Sequence, residues 1–502
     1  MLVDTGVPDY LLAIDQGTTS TRAILFDAAG GIHHISRIAL RQFYPRPGWI
    51  EHDPEEIWHS VVATCRQAIA AARDRPIAAI GIANQRETTV LWDRSTGRPV
   101  HNAIVWQDRR TARLCETWRE AGLAGSVATR TGLVIDPYFS ASKIRWLLDE
   151  VAGLRERAAA GKIAFGTIDS YLLWRLTGGR LHATDATNAS RTMLFDLHRL
   201  AWDDELLREF DIPPALLPEI RDTDADFGTA IPDLFDGSIP IAGVAGDQHA
   251  ALIGQGCFRP GMVKATYGTG AFVLLHTGER PAVSRNRLLT TLAYRLGGET
   301  AYALEGSIFI AGAAVQWLRD RLRAVGAAVE TGILAAAADP RQRVYFVPAF
   351  AGLGAPYWET GARGALSGLT AECGLPEIAR ATLESVGFQT RDLIAAMTAD
   401  CGLAIEALRV DGGLAASDWA MQFVADILPA RIERPHSLET TAWGAAYVAG
   451  LSRGLCPPPQ EMTTRWSAER RFAPVMDRDE REERYAGWKR AVAGVLTAVP
   501  PQ

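Results

Sequence analysis

Long apolar runs are missing from the 502-residue chain: no stretch approaches the ~18 residues of a membrane-spanning helix, so membrane insertion is not expected. Lysine is scarce and no GxxxxGK[ST] occurs, which excludes a Walker-type nucleotide site. The six cysteines (Cys65, Cys115, Cys257, Cys373, Cys401 and Cys456) form no CxxC pair and no metal-ligand spacing, which argues against a disulfide framework or a zinc site and leaves reduced structural thiols. There is no excess of positive charge either. The net charge is −6, and the basic residues, mostly arginine, are interspersed with acids, so a nucleic-acid groove or a polybasic membrane patch is not expected. The first ten residues carry two aspartates and a proline where a secretory leader needs a basic start and an apolar stretch, so a cytoplasmic location is expected. Small-molecule chemistry remains.

What is present is enough chain for two domains of about 250 residues with a cleft between them. LLAID (11–15) and TRAILFD (21–27) flank a Gly/Thr turn, and HHISRIALRQ (33–42) reads as a third strand. PEEIWHSVVATCRQAIAAARD (54–74) has apolar residues at helical spacing, with Asp53 placed to cap it and Pro54 at the first helical position. IAAIGIA (77–83) reads as a buried strand. A three-strand meander, a helix and a further strand open a ribonuclease-H-like, actin-type α/β domain. The opening recurs at GMVKATYGTGAFVLLHTG (261–278), followed by strand-like 288–294, AYALEG (301–306) and a helix expected over SIFIAGAAVQWLRDRLR (307–323). Duplication is the simplest explanation, with domains at 1–255 and 256–502. Resemblance between any two α/β halves is the alternative. The tail from Pro457 is charged and proline-rich before a final helix, expected to pack on the outside.

Two turns have the composition of phosphate grips. In DQGTTSTR (15–22), Gly17 permits a tight hairpin whose backbone N–H groups, with the Thr18, Thr19 and Ser20 hydroxyls, can surround phosphate oxygens. Asp15 at the strand end can hold Mg²⁺ through water, and Arg22 can offset the anionic charge. TYGTG (266–270) offers Gly268, Thr269 and Gly270 from the other half. Either loop alone also fits an ordinary hairpin. VDGG (410–413) follows a strand pattern and precedes a helix starting near Ser417, so a nucleotide can lie flat on its backbone.

Polar residues also fall where a core would not want them. NQRETT (84–89) puts Arg86 and Glu87 side by side at a strand mouth, a donor and an acceptor suited to a vicinal diol, or else a surface ion pair. AIVWQDRR (103–110) supplies Trp106 and TGLVIDPYFS (131–140) supplies Tyr138, each a candidate wall or a core aromatic. In GVAGDQHAAL (243–252), Asp247 stands where a strand gives way to a helix. It either caps that helix or serves as the base that takes the proton of an attacking hydroxyl and aims its oxygen in line.

The strings DQGTTSTRA, PGWIEHDPEEIW, GIANQRETT, NAIVWQDRRT, TGLVIDPYFSASKIRWLLD, ATNASRTMLFD, AGDQHAAL, TYGTGAFVLL, ALEGSIFIAGAAVQWLRD, FAGLGAPYW and ATLESVGFQTRD run in order over nearly the whole chain. Together they resemble the FGGY carbohydrate kinase family, and within it the members that phosphorylate glycerol. The resemblance implies two actin-like domains around a deep cleft and the reaction ATP + glycerol = ADP + sn-glycerol 3-phosphate with Mg²⁺. Asp15 and Asp247 would flank the metal and the moving phosphoryl group, with Asp247 as base. Arg86, Glu87, Tyr138, Asp247 and Gln248 would meet the glycerol hydroxyls, and Trp106 and Phe272 its carbon chain. ATP would meet Thr18, Thr19, Ser20, Arg22, Gly268, Thr269, Gly312, Gln316 and Gly413. Ser417 stands where many such kinases carry asparagine near the adenine. A homodimer or homotetramer is implied. DLFDGSIPIAG (233–243) lacks the Gly-rich, arginine-bearing loop that binds fructose 1,6-bisphosphate in some relatives, so weak or absent inhibition by it is expected; the phosphorylated His-bearing loop of other relatives is missing too. The competing expectations are a relative acting on erythritol, xylitol or xylulose, and a non-catalytic actin-like nucleotide binder.

Overall fold

The computed structural model describes residues 9–73, 75–359 and 361–499. The residues at each end of the sequence reading, 1–8 and 500–502, and Asp74 at the end of the expected first helix lie outside them.

The N-terminal lobe is built on a five-stranded sheet. Strands β1 (Tyr10–Gln16), β2 (Ser20–Phe26) and β3 (Ile32–Ala39) form the antiparallel meander. Helix α1 (Pro54–Ala72) follows; the Asp53 carboxylate accepts the Glu55 N–H at 2.9 Å, satisfying a donor that the first turn leaves unpaired. Strand β4 (Ile77–Asn84) then pairs parallel to β1, and β5 (Ile241–Gly246) parallel to β4, so the order is β5-β4-β1-β2-β3. β1 is buried along its whole length, as its continuous apolar run requires of a strand covered on both faces. The segment between β4 and β5 carries a core of its own, including Leu91, Trp118, Phe139 and Phe210.

After helix α2 (Asp247–Gly254), the C-terminal lobe repeats the plan. Strands β6 (Val263–Tyr267), β7 (Ala271–Gly278), β8 (Leu289–Leu296) and β9 (Glu299–Ile308) are antiparallel neighbours. Beyond the short helix α3 (Gly312–Gln316) and the long α4 (Leu375–Cys401), β10 (Ala407–Asp411) pairs parallel to β6. Then come α5 (Asp418–Ile427), β11 (Arg431–Pro435) parallel to β10, α6 (Thr440–Ser452), β12 (Ala468–Phe472) and α7 (Arg478–Thr497). The order β8-β9-β7-β6-β10-β11-β12 contains the N-terminal order, with β8 and β12 added at the edges. This repeated order is the topological content of the duplication.

Two expectations are corrected. The helix expected over 307–323 begins only at Gly312, because Ser307 and Ile308 pair with Phe272 and Ala271 as the end of β9. A short apolar run is equally compatible with either element, and the open partner strand decides. The tail is not merely external. β12 completes the sheet, and α7 buries Trp488 fully against Phe388, the rings 5.3 Å apart and 7° from parallel.

The lobes meet at α2 and α6, which follow the last parallel strand of each repeat. A Cβ on Gly444 would run into the Ala250 carbonyl, and one on Gly254 into the Thr440 carbonyl, so both glycines permit a backbone crossing closer than side chains allow. The β8–β9 hairpin also docks on the N-terminal lobe. Thr290 N–H donates to the Gly132 carbonyl (2.9 Å), the Tyr302 hydroxyl to that of Leu197 (2.8 Å), and Arg295 pairs with Asp222 (2.8 Å).

Candidate active site

The carboxyl ends of β1, β4 and β5 deliver Asp15, the Asn84–Thr89 turn and Asp247 to one place, the usual position for ligands in such sheets. Asp247 does not cap α2, whose cap residue is Gly246. Its Oδ1 accepts the Gln248 N–H at 2.7 Å and lies 3.1 Å from Arg86 Nε, which leaves Oδ2 for another partner. The strand end before it is pinned from behind: the Thr187 hydroxyl accepts the Gly246 N–H (2.9 Å) and donates to Asp185 (2.9 Å). Burial pushes the Asp247 carboxyl above its ordinary range; Arg86 and Lys264 pull against this and Asp15 adds to it.

Arg86 and Glu87 are not a surface pair. Both are buried, and Glu87 sits at φ +59°, a left-handed conformation at a turn. Arg86 forms a short ion pair with Glu305, approaches the Tyr138 hydroxyl at 3.5 Å and lies 5.5 Å from the Phe272 ring centre. Glu87 accepts from Arg191 Nε at 2.7 Å, and Arg191 Nη2 donates to Glu305 at 2.8 Å. Burial raises the Glu87 carboxyl. Burial acts on Glu305 in the same direction, but Arg191 and Arg86 outweigh it and hold that carboxyl below its ordinary value. Trp106 closes the wall, 5.6 Å from Tyr138 and 6.0 Å from Phe272 between ring centres. Phe272 comes from β7 of the other lobe. Gln248 accepts a short hydrogen bond from Lys264, which also donates to Thr266 at 3.0 Å. Burial brings this lysine down to about 8. The seven acceptor-side residues expected from sequence thus share one cluster, Gln248 joining through Asp247 and Lys264.

The first of the two Gly/Thr turns is tied to this cluster. Gly17 N–H donates to the Ser20 carbonyl (3.0 Å) across the first hairpin, and Leu40 N–H to that of Thr19 (2.9 Å). The Thr18 hydroxyl accepts from Trp106 Nε1 at 2.9 Å, linking this turn to the aromatic wall. Arg22 forms short ion pairs with Asp15 and with Glu439 just before α6. Asp15 and Asp247 are two of the acids here, and no cluster of three His, Cys, Asp or Glu able to hold a metal occurs among the described residues.

On the C-terminal side, the start of α3 rests on the second turn. Gly312 N–H donates to the Gly268 carbonyl (3.0 Å), and Ala311 and Ala313 donate to that of Thr269 (2.9 and 3.0 Å). Gly412, at φ +85°, packs on the Tyr267 backbone, while a Cβ on Gly413 would meet open space. Gln316 is exposed at the end of α3. Ser417 caps α5, its hydroxyl accepting the Ala420 N–H at 3.4 Å. Neither Gln316 nor Ser417 touches the acceptor-side cluster among the described residues.

Sequence reasoning did not single out Arg191, Lys264, Glu305 or Glu439. One signal was available for Glu305: an ionisable residue at the centre of the otherwise buried strand ALEG. An open cavity of about 1000 Å³ lined by Asp53, Arg98, Trp174 and Arg175, among others, lies elsewhere on the N-terminal lobe and shares no residue with this site.

Residues 10–254 match the N-terminal domain of the FGGY family of carbohydrate kinases, and residues 263–453 match its C-terminal domain. The chain is 62% identical over 491 residues to a glycerol kinase of Methylobacterium nodulans, covering 97% of this chain and 98% of that protein. It is 58% identical over 489 residues to one of Cereibacter sphaeroides, covering 97% and 99%. Among solved structures, a Plasmodium falciparum glycerol kinase with ADP superposes with a TM-score of 0.91 at 36% identity over 97% of this chain and 98% of that one. With both halves matched and relatives this similar over their full length, the chain belongs to the FGGY family of carbohydrate kinases.

Proposed function

We propose that the chain transfers the terminal phosphoryl group of ATP to a primary hydroxyl of glycerol, giving ADP and sn-glycerol 3-phosphate. The relatives described as glycerol kinases support the reaction. The structural observation that carries it is the cluster in which Asp247, with Oδ2 unengaged, stands beside Arg86 and Glu87 within walls of Trp106, Tyr138 and Phe272. A three-carbon polyol offers that cluster hydroxyls for the charged groups and a short apolar edge for the rings. A substrate lacking a hydroxyl would strand a buried partner.

The chemistry asks little beyond placement and charge. As the phosphorus–oxygen bond to ADP breaks, the glycerol oxygen forms the new one, and its proton passes to Asp247 Oδ2. Because the transition state is loose, Asp247 serves first to aim that oxygen and second as proton acceptor. The backbone N–H groups of the two Gly/Thr turns and Arg22 take the phosphate charge. The carboxylates also fit a magnesium ion. The Asp15 charge reaches Asp247, a like-charge pairing that a divalent cation relieves, and Mg²⁺ characteristically takes one or two carboxylates and completes its shell with water and phosphate. Asp15 and Asp247 would hold the ion, which supplies neutralisation of phosphate charge. We place the division between the two domains at residues 255 and 256.

Initial rates with ATP against glycerol, erythritol, xylitol and xylulose test the assignment. Glycerol is expected to give the highest kcat/KM. A higher value for a four- or five-carbon acceptor overturns the glycerol reading, and the absence of turnover with all four overturns the kinase reading.

A further inference from the structure

We infer that Glu305, a strand residue of the C-terminal lobe, is a positioning residue for acceptor recognition: with Arg191 it fixes the orientation of Arg86 and Glu87, the pair proposed above to meet the glycerol hydroxyls. The inference rests on that acceptor reading.

Glu305 is anchored as few side chains are. Its backbone lies in the middle of β9, opposite Leu274 of β7 and Leu289 of β8, so the Cα is held on both sides. Its side chain is 0% exposed, as is that of Arg191, and those of Arg86 and Glu87 are 2% exposed. At Glu305 and Arg191, with no exposed surface, solvent is a poor replacement for a lost partner. The four form a chain in which Glu87 binds Arg191, Arg191 binds Glu305, and Glu305 binds Arg86, whose Nε faces Asp247. With Lys264 and Asp247 the cluster holds three cations, Arg86, Arg191 and Lys264, against three carboxylates, Glu87, Glu305 and Asp247.

That arrangement settles where Arg86 spends its charge. Two carboxylates compete for its guanidinium: Glu305 engages Nη1 and Nη2, while Asp247 is met only at Nε and only through Oδ1. Without the Glu305 charge, Asp247 becomes the nearest anion, and the guanidinium can turn onto the carboxylate that must accept the substrate proton. Arg191 would at the same time lose one of its two carboxylate partners and hold Glu87 less firmly. A stabilising ion network alone is a poor explanation for these groups, since burying charges costs about as much as pairing them returns. The lobes are moreover already tied nearby by the Gly132, Leu197 and Asp222 contacts.

The test is steady-state kinetics of Glu305→Gln, which keeps the shape and removes the charge. The KM for glycerol is expected to rise about a hundredfold, the scale of leaving a buried charge unpaired. The KM for ATP and the Kd for ADP should stay within about twofold, because the nucleotide residues lie outside this network. A purely structural role would instead lower the unfolding temperature and move both KM values together. Should Glu305→Gln not fold, Glu305→Asp keeps the charge on an arm one methylene shorter that cannot reach both guanidiniums; a selective rise in glycerol KM of about tenfold is then expected. An unchanged glycerol KM in whichever variant folds, or equal changes in both KM values, overturns the inference. Failure of the wild-type protein to phosphorylate glycerol overturns instead the acceptor reading beneath it.

Discussion

Replacing Asp247 by asparagine isolates the proposed proton acceptor from the rest of the site. The change is isosteric. The Asn Oδ1 can still accept the Gln248 N–H, and Arg86 keeps its pairing with Glu305, so the end of β5 and the start of α2 should hold their places. What is lost is the acceptor at Oδ2, where the amide presents an N–H to a hydroxyl that must give up its own proton. A positioned general base contributes about 10² to 10⁴ in rate. Because on the proposed reading Asp247 also aims the oxygen, and it neighbours Asp15, a fall in kcat of about 10³ or more is expected, ~4 kcal/mol of barrier. Glycerol affinity should fall by no more than about tenfold, the value of one hydrogen bond among several. A coupled ADP-release assay gives kcat, and calorimetric titration with glycerol gives the Kd. The pH profile supplies an independent check. Burial raises the Asp247 carboxyl, so in the wild type kcat climbs with pH as that group ionises above the ordinary carboxylate range, and the variant should lack this limb. A kcat within about tenfold of wild type, or an intact acid limb, would place the base elsewhere.

Two further expectations concern stability. Burial, with the Asp185 charge, raises Asp169 from 3.8 to about 7; the folded chain therefore holds a proton that the unfolded chain releases near 3.8. Stability from this group should be full below pH 4 and decline as pH rises to about 7, a slope in urea midpoints that Asp169→Asn should flatten. Trp488→Ala empties a fully buried stack on Phe388 and removes the Nε1 donor to Asp392 (2.8 Å), for a loss of about 3–5 kcal/mol in chemical denaturation. Trp488→Phe, keeping most of the ring, should lose only about 1–2 kcal/mol; equal losses would mean that the hydrogen bond rather than the packing matters.

The first hundred residues were legible because local signals agree with one another. Asp53 and Pro54 start a helix whose apolar stripe has one sheet to cover, and the unbroken apolar run of β1 has room only at the centre of that sheet. The segment 307–311 was not legible, because its apolar residues suit a helix and a strand equally and the choice lies with β7, some thirty-five residues earlier. Arg86, Glu87 and Asp247 announced themselves as polar residues at strand ends. Arg191 gave no such cue among the small residues of ATNASRTML, since what makes it significant is the approach of Glu305, 114 positions away in sequence.

The glycerol pocket proposed above therefore draws on both lobes. Arg86, Glu87, Trp106, Tyr138 and Asp247 come from the N-terminal half, but the Phe272 ring that faces Trp106 and the Glu305 carboxylate that anchors two arginines come from β7 and β9 of the other. The β8–β9 hairpin is bonded to the N-terminal lobe at Gly132, Leu197 and Asp222, so these C-terminal strands already stand at the acceptor side.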